Sequence, residues 1–236
     1  MTRKTALIFG GSRGIGAAIV QALARDGFDV ALTYTSAKPA QPDAPDGATI
    51  TMHEADIRDP TQVAAVFDAL GKAPDCVVAN AGINVLPGPL AEFPDDRFRA
   101  LVEVNIVGAF NVLRAAAARV SDGGTIIGLT TSMVRVAVPG GGPYTASKAA
   151  VESLLRSMSK ELAGRGVRVN GVAPGPVDTD LFRSGKDEAA VQRSGGMSPF
   201  NRVGQPAEVA EVVSFLASER ASWVHGQIVQ PNGGMV

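Results

Sequence analysis

A glycine-rich turn near the start of the chain limits the possible folds more than any other feature. The apolar run 5–9 leads directly into the turn, and residues with helical spacing follow it. Glycines let such a turn be tight and approach an anion closely, and the free N–H groups of the following helix favour phosphate. A turn that merely connects strand and helix would also hold glycines. The residues of the turn predicted to bind a dinucleotide are Gly10, Ser12, Arg13, Gly14, Ile15 and Gly16, with the glycines at its pyrophosphate.

The rest of the chain alternates between short apolar runs and longer helical segments. Strands are predicted at residues 5–9, 29–34, 50–54, 76–79, 124–130, 167–173 and 227–230. Helices are predicted at residues 15–26, 59–70, 97–120, 144–165 and 207–218. This alternation predicts an α/β fold with a seven-stranded, mostly parallel sheet and helices on both faces, in one doubly wound Rossmann domain over residues 1–236. Residues 37–46 and 182–199 follow neither pattern and are interpreted as loops, the second of them as a substrate lid over about 181–200.

The composition excludes several classes of function. The net charge of -1 gives no electrostatic reason to expect nucleic acid or an anionic membrane as a partner. Cys76 is the only cysteine, and His53 and His225 are the only histidines, so neither a disulfide nor a metal site is expected. The sequence shows no leader peptide and no apolar run of membrane-spanning length, so we expect a cytoplasmic protein.

The end of the second predicted strand indicates which dinucleotide the turn binds. An acidic residue there would bind the ribose 2′-hydroxyl of NAD, but this strand ends in Tyr34, Thr35 and Ser36. A guanidinium at Arg13, together with the hydroxyls of Thr35 and Ser36, suits a 2′-phosphate instead. The sequence therefore favours NADP(H) over NAD(H).

A tyrosine and a lysine at helical spacing predict acid–base chemistry. Tyr144 and Lys148 lie four residues apart, on one face of the predicted helix. A nearby ammonium stabilises the phenolate and lowers the pKa of the tyrosine, which we expect to tune Tyr144 for proton transfer near neutral pH. An ordinary half-buried tyrosine beside a solvated lysine is the alternative interpretation.

Together these motifs resemble the short-chain dehydrogenase/reductase superfamily, and within it the 3-oxoacyl-[acyl-carrier-protein] reductase-like enzymes. The glycine turn and the Tyr144/Lys148 pair occur in the family's order, and further matches cover nearly the whole chain. The resemblance implies a proton relay to the lysine through a water held by Asn105. It also implies cofactor contacts from three further segments, which contain Asp56 and Ile57, then Asn80, Ala81 and Gly82, then Pro174, Gly175, Val177 and Thr179.

The catalytic hydroxyl of the family has two candidates in this sequence. The family usually places a serine 13 residues before the tyrosine, and counting back from Tyr144 gives Thr131. Ser132 has the expected residue type but needs a loop one residue shorter. Adjacent residues at a strand end point to opposite sides, so one of the two is expected to face the nicotinamide, and residue type favours Ser132.

The predicted function is NADP(H)-dependent hydride transfer between a nicotinamide and a carbonyl/secondary alcohol pair, with Tyr144 as general acid/base. The narrower alternative is a 3-oxoacyl-ACP reductase of fatty acid synthesis, for which Arg165 matches one of two expected basic positions while residues 121–123 do not match the other. An alternative of another class is a non-catalytic NADP(H)-sensing module. The expected partners are a small carbonyl or acyl thioester substrate and further copies of the chain, in a homodimer or homotetramer.

Overall fold

A single parallel sheet organises the protein. The computed structural model describes residues 3–36 and 38–236. Its strands lie in the order β3-β2-β1-β4-β5-β6-β7, and every neighbouring pair is parallel. The strands are β1 (Lys4–Phe9), β2 (Phe28–Tyr34), β3 (Ile50–Glu54), β4 (Cys76–Ala79), β5 (Thr125–Leu129), β6 (Arg168–Val172) and β7 (Ile228–Val229). The predicted seven-stranded sheet is confirmed. Its described strands are all parallel, whereas the sequence predicted a mostly parallel sheet.

Helices cover both faces of this sheet, as the sequence predicts. They are α1 (Gly14–Arg25), α2 (Pro60–Ala69), α3 (Asp95–Leu101), α4 (Ala109–Arg119), α5 (Met133–Val136), α6 (Gly142–Leu162), α7 (Asp180–Arg183), α8 (Glu188–Gly195) and α9 (Pro206–Ala217). Strand β1 shows why two layers form: Ala6 and Ile8 pack into the core beneath α1 and α9, while Leu7 and Phe9 pack beneath α2, α4 and α6. Side chains alternate along a strand, so a continuous apolar run feeds both cores.

The order of the strands creates a crevice where the glycine turn lies. Strand β1 pairs with β2 on one side and β4 on the other, so the direction of winding reverses at β1. Ligands of open α/β sheets bind at such a switch point, outside the carboxyl ends of the strands. The segments that follow β1, β4, β5 and β6 therefore meet at one edge of the sheet.

The long helix predicted at residues 97–120 is not uniformly α-helical. A π-helical segment, Val102–Gly108, joins α3 to α4 and contains Asn105. Such segments are rare and frequently lie at functional sites. By length and mean hydropathy (1.4) the helix Asp95–Arg119 could cross a membrane, yet Leu101, Val112 and Leu113 are buried in the core of this protein.

Residues 182–199, predicted to be a loop, contain the end of α7 and the whole of α8. Thr179 and Asp187 begin them, because their side-chain oxygens accept hydrogen bonds from the backbone N–H groups of Phe182 (3.1 Å) and Ala190 (2.7 Å). These side-chain caps thus stabilise helices in a segment whose apolar periodicity is too weak to predict them. Of the other predicted loop, 37–46, Ala37 lies outside the described residues and Pro45–Gly47 form a short 3₁₀ turn.

Candidate active site

The glycine turn forms a cradle that side chains larger than glycine would fill. Gly10 has φ +80°, and an added Cβ would lie 2.7 Å from the backbone of Ala81. An added Cβ on Gly16 would lie only 2.0 Å from the carbonyl oxygen of Gly10. Asn80 Nδ2 donates to that same carbonyl oxygen at 2.7 Å, and Gly10 N donates to Thr33 Oγ1 at 3.0 Å. These two hydrogen bonds brace the turn, and Thr33 is a supporting residue that the glycine motif does not reveal.

The N-terminus of α1 is open to an anion. Arg13 precedes the helix in an extended conformation, no side chain caps the helix there, and no acidic residue lies in the first turn, which contains Gly14, Ile15 and Gly16. The positive end of the helix dipole and its free N–H groups therefore suit the pyrophosphate of a dinucleotide. The predicted pyrophosphate site is chemically consistent with this geometry.

Three side chains predicted to contact a ribose 2′-phosphate are available to a ligand. Arg13, Thr35 and Ser36 are exposed, and within residues 3–36 and 38–236 the Arg13 guanidinium makes no ion pair. Since an unpaired guanidinium and two hydroxyls are what a ribose 2′-phosphate needs, these residues fit NADP(H).

Asp56 and Ile57, which the resemblance places at the cofactor, differ in their availability to a ligand. Asp56 forms an ion pair with Arg58 at 2.5 Å, and its hydrogen bonds to that side chain lower the pKa of the Asp56 carboxyl. Ile57 is 3% exposed and lies against Gly108. The Ile57 side chain thus packs in the core, while Asp56 lies at the surface.

Tyr144 and Lys148 lie one turn apart on α6, as their spacing predicts. Lys148 is buried, its Nζ donates to the carbonyl oxygen of Leu129 at the end of β5 (3.1 Å), and burial lowers its pKa to about 8. Burial raises the pKa of Tyr144 to about 12, so the expected lowering of that pKa by Lys148 is not observed. At neutral pH the phenol is therefore protonated and the lysine is mostly charged.

Asn105 reaches the same place from the π-helical segment. Its Oδ1 accepts from Ile83 N and its Nδ2 donates to Ile83 O, both at 2.9 Å, and Nδ2 also approaches Ser147 Oγ at 3.1 Å. An added Cβ on Gly82 would lie 3.1 Å from Asn105 Oδ1 and 3.2 Å from Lys148 Nζ. The sheet therefore brings together Asn105, Gly82 and Lys148, which are far apart in the chain.

The two candidate hydroxyls have different hydrogen bonds. Ser132 is fully buried, and its Oγ donates to Ala173 O at 2.6 Å and accepts from Asn232 Nδ2 at 3.1 Å. Thr131 Oγ1 accepts from Met133 N at 3.3 Å, and in the described part of the chain its hydroxyl donates to no acceptor. The Ser132 hydroxyl hydrogen is thus already donated to a backbone carbonyl, whereas Thr131 keeps a hydrogen to donate. Asn232, near the end of the chain, is a supporting residue that only the structure reveals.

The Pro-Gly segment after β6 returns the chain to the glycine turn. Gly175 N donates to Pro231 O at 3.1 Å, and Val177 is buried. A Cβ added to Gly14 would lie 3.2 Å from Thr179 Cγ2, so this segment and the turn line the same crevice. Pro174 O accepts from Ser132 N at 2.9 Å, which fixes the segment against the end of β5.

A buried ion pair next to the site was not predicted. Glu152 on α6 is 2% exposed, and its carboxylate accepts two hydrogen bonds from Arg135 on α5, both at 2.9 Å, and one from Thr130 Oγ1 at 3.1 Å. The pair fixes the segment after β5 to the helix of Tyr144 and Lys148. A charged residue in a helical pattern usually indicates an exposed face, so the sequence does not predict this buried ion pair.

We expect Glu152→Ala to lower the free energy of unfolding by about 3 kcal/mol, or roughly 6–12 °C in Tm, because it leaves the Arg135 charge without its partner. The effect lies at the low end for buried pairs because Arg135 is 29% exposed. Thermal unfolding measures it. The control is Glu211→Ala, which breaks the exposed Arg25–Glu211 pair and should change Tm little. Equal shifts in the two variants would contradict the prediction.

Among the described residues, no group of three or more His, Cys, Asp or Glu side chains could hold a metal ion. The single cysteine, Cys76, is buried in β4, and burial raises the pKa of its thiol to about 12.

Comparison with known proteins extends over nearly the whole chain. The family model described as enoyl-(acyl carrier protein) reductase matches residues 10–236. A short-chain type dehydrogenase/reductase of Picea abies is 40% identical over 99% of this chain and 92% of its own. An NADPH-dependent aldehyde reductase-like protein of Arabidopsis thaliana is 38% identical over 99% and 94%. The 3-oxoacyl-[acyl-carrier-protein] reductase MabA of Mycobacterium tuberculosis is 36% identical over 98% and 92%.

Solved structures share the fold and include cofactor complexes. A blue fluorescent protein from a metagenomic library, in complex with NADPH, superposes with a TM-score of 0.87 at 33% identity, over 99% of this chain and 98% of that one. A short-chain dehydrogenase of Burkholderia cenocepacia in complex with NADP gives 0.86 at 32% identity, over 98% and 97%.

Proposed function

The chain belongs to the short-chain dehydrogenase/reductase family and is an oxidoreductase, and from that premise we propose that it transfers hydride between NADP(H) and a carbonyl/secondary alcohol pair. One observation carries the proposal: Tyr144 and Lys148 lie one turn apart on α6, with the Lys148 ammonium at the end of β5 beside Gly82 and Asn105. This cluster can move a proton at the edge of the crevice that suits a dinucleotide.

Each residue of the cluster has a defined task. When bound, the nicotinamide supplies or accepts the hydride. Tyr144, protonated at neutral pH because its pKa is raised, donates a proton to the carbonyl oxygen as general acid. Lys148, which is mostly charged at neutral pH, assists the return of a proton to the Tyr144 phenol. Asn105 holds a water that links Lys148 to solvent. A hydroxyl after β5 orients and polarises the carbonyl oxygen.

The hydrogen bonds favour Thr131 over Ser132 as that hydroxyl. We expect Thr131→Val, which removes the hydroxyl at nearly constant volume, to lower kcat by about 100-fold, the usual cost of losing one such donor. Ser132→Ala should instead lower Tm, since it breaks the bonds to Ala173 and Asn232, with a smaller change in kcat. Steady-state kinetics and thermal unfolding distinguish the two, and Thr131→Ser is the control that should retain activity. A larger kcat loss in Ser132→Ala would return the role to Ser132.

NADP(H) is proposed as the preferred cofactor because Arg13 is exposed and without an ion pair in the described chain, and Thr35 and Ser36 after β2 are exposed as well. We expect Arg13→Ala to weaken NADPH binding by about 10- to 100-fold, the value of one hydrogen bond to a charged group, and to leave NADH binding unchanged. Fluorescence titration with both nucleotides measures this. Arg97→Ala, at an exposed arginine on α3, is the control. Equal losses for both nucleotides would refute a contact with the 2′-phosphate.

Carrier-protein reduction is the weaker alternative. An acidic carrier needs free basic side chains near the site, but Arg165 pairs with Asp122 at 2.7 Å and donates to the carbonyl oxygens of Ala117 and Val120. A relative of that activity at 36% identity supports it. Nothing favours a non-catalytic NADP(H)-sensing module, because Tyr144 and Lys148 are both retained.

We further propose self-association into a homodimer or homotetramer in the cytoplasm. The helix Asp95–Arg119 exposes Phe98, Val107 and Phe110, which a second copy of the chain would cover. Light scattering after size exclusion tests this, and a mass of 24.2 kDa would refute it.

The test of the function is NADPH oxidation, followed spectrophotometrically, with a panel of aldehydes, ketones and an acetoacetyl thioester. Turnover of carbonyl compounds supports the proposal. NADPH binding without turnover across the panel would favour a sensing role instead, and preference for the thioester would favour the carrier-protein alternative.

A further inference from the structure

The buried carboxylate of Glu152 lies on the same face of α6 as the proposed proton donor. Tyr144, Lys148 and Glu152 follow one another at intervals of four residues, so they form one stripe along the helix. Lys148 Nζ donates to Leu129 O at 3.1 Å. One turn further along α6, Glu152 Oε1 accepts a hydrogen bond from Thr130 Oγ1, also at 3.1 Å. Adjacent turns of α6 therefore hold adjacent residues of the chain where β5 ends.

The same carboxylate also holds the far end of the segment that contains Thr131. Arg135 Nη1 and Nη2 donate to Glu152 Oε1 and Oε2, both at 2.9 Å. Together with the bond from Thr130, one side chain thus closes a loop over residues 130–135. Thr131, whose hydroxyl is proposed to polarise the carbonyl oxygen of the substrate, is the second residue of this loop.

Hydrogen bonds within the loop connect its two ends. Val134 N donates to Thr131 O at 3.3 Å, and Arg135 N donates to Ser132 O at 2.9 Å. Because the loop is short and bonded to itself, displacement of either end moves the Thr131 hydroxyl. The position of that hydroxyl therefore depends on the carboxylate of Glu152.

A carboxylate is a costly side chain at this place in the fold. Glu152 is 2% exposed, and removing its charge from water is unfavourable unless hydrogen bonds and an opposite charge replace the water. Apolar side chains of similar volume often pack as stably as a buried ion pair, or more stably. They lack direction, however, whereas three hydrogen bonds to two oxygens specify where Thr130 and Arg135 lie. The carboxylate thus suits positioning better than stability.

We propose that Glu152 is a positioning residue for carbonyl reduction, which places the Thr131 hydroxyl at the same carbonyl oxygen as Tyr144. It acts through the hydrogen bonds at the two ends of the loop. The inference rests on the proposed function and deepens it. Displacement of a reacting group by about 1 Å can cost about 100-fold in rate. Since Glu152 is buried, its substitution should lower kcat and leave the affinity for NADPH unchanged.

The experiment is a double-mutant cycle between Glu152→Gln and Thr131→Val, with kcat for an aldehyde and NADPH affinity measured for each variant. Glutamine keeps the size of the side chain but replaces one acceptor with a donor, so at least one hydrogen bond of the loop is lost. We expect Glu152→Gln to lower kcat about 30-fold alone, but less than about threefold in the Thr131→Val background, where the hydroxyl it places is gone. A merely structural role predicts the same factor in both backgrounds.

Thr130→Val tests the same link without altering the ion pair. It removes the hydroxyl that donates to Glu152 at nearly constant volume, and we expect kcat to fall about tenfold because one end of the loop is released. The control is Thr5→Val in β1, at a buried threonine whose Oγ1 has no hydrogen-bond partner among the described residues. This control should keep the kcat of the parent protein. If Glu152→Gln is too unstable to assay, Thr130→Val replaces it in the cycle with the same expectation.

The possible failures are distinguishable. An unchanged kcat in both Glu152→Gln and Thr130→Val, or the same factor in both backgrounds of the cycle, would overturn the inference alone. If Thr131→Val keeps the parent kcat, the role of that hydroxyl fails and the inference fails with it. Absence of NADPH oxidation by the parent protein with every aldehyde and ketone would overturn the proposed function as well.

Discussion

Tyr144→Phe is expected to reduce kcat for carbonyl reduction by about 10²- to 10⁴-fold, the usual contribution of a positioned general acid. The substitution removes one oxygen and leaves the ring, so α6 and its contacts should persist. NADPH affinity, measured by fluorescence titration, should change little. The large kinetic loss with retained cofactor binding is what distinguishes a proton donor from a structural tyrosine.

The chain offers a matched control for this variant. Tyr34, at the end of β2, is its only other tyrosine, and Tyr34→Phe makes the same atomic change away from α6. Its kcat should equal that of the parent protein. If Tyr144→Phe keeps more than a tenth of the parent kcat, Tyr144 is not the acid.

Gly16→Ala should strongly weaken the binding of NADPH. The new Cβ would lie 2.0 Å from the carbonyl oxygen of Gly10 and 2.7 Å from Asn80 Nδ2, and the first contact is with backbone that cannot simply rotate away. The turn must therefore shift, and the N–H groups that we propose bind the pyrophosphate shift with it. Loss of one or two charge-assisted hydrogen bonds predicts about 100-fold weaker NADPH binding by titration, together with a lower Tm.

Gly164→Ala is the corresponding control. Gly164 has no heavy atom within 4 Å of an added Cβ and does not have a left-handed φ. Such a substitution is neutral or slightly stabilising, because alanine restricts the unfolded chain. Parent-like NADPH affinity in Gly16→Ala would mean that the turn is not the pyrophosphate site.

Much of the fold was predictable because the underlying signals are local. Continuous apolar runs predicted the strands, and the predicted α1 and α9 begin within one residue of the observed helices. The π-helical segment around Asn105 was not predictable in this way. Its hydrogen bonds to Ile83 and Ser147 come from elements distant in the chain, and a shift of one residue within a helix leaves little trace in apolar spacing. The short helices α7 and α8 depend on caps rather than on periodicity, so apolar spacing does not predict them.

The sequence by itself determined the class of fold, the position of the glycine turn and the shared helix face of Tyr144 and Lys148. These follow from residue type and spacing over a few positions, where backbone geometry alone sets which side chains are neighbours. Only the tertiary structure decided which hydroxyl after β5 remains free, that Glu152 is a buried partner of Arg135, and that the pKa of Tyr144 rises rather than falls. Each of these depends on burial or on contacts such as Ser132–Asn232, between residues brought together only when the sheet is complete.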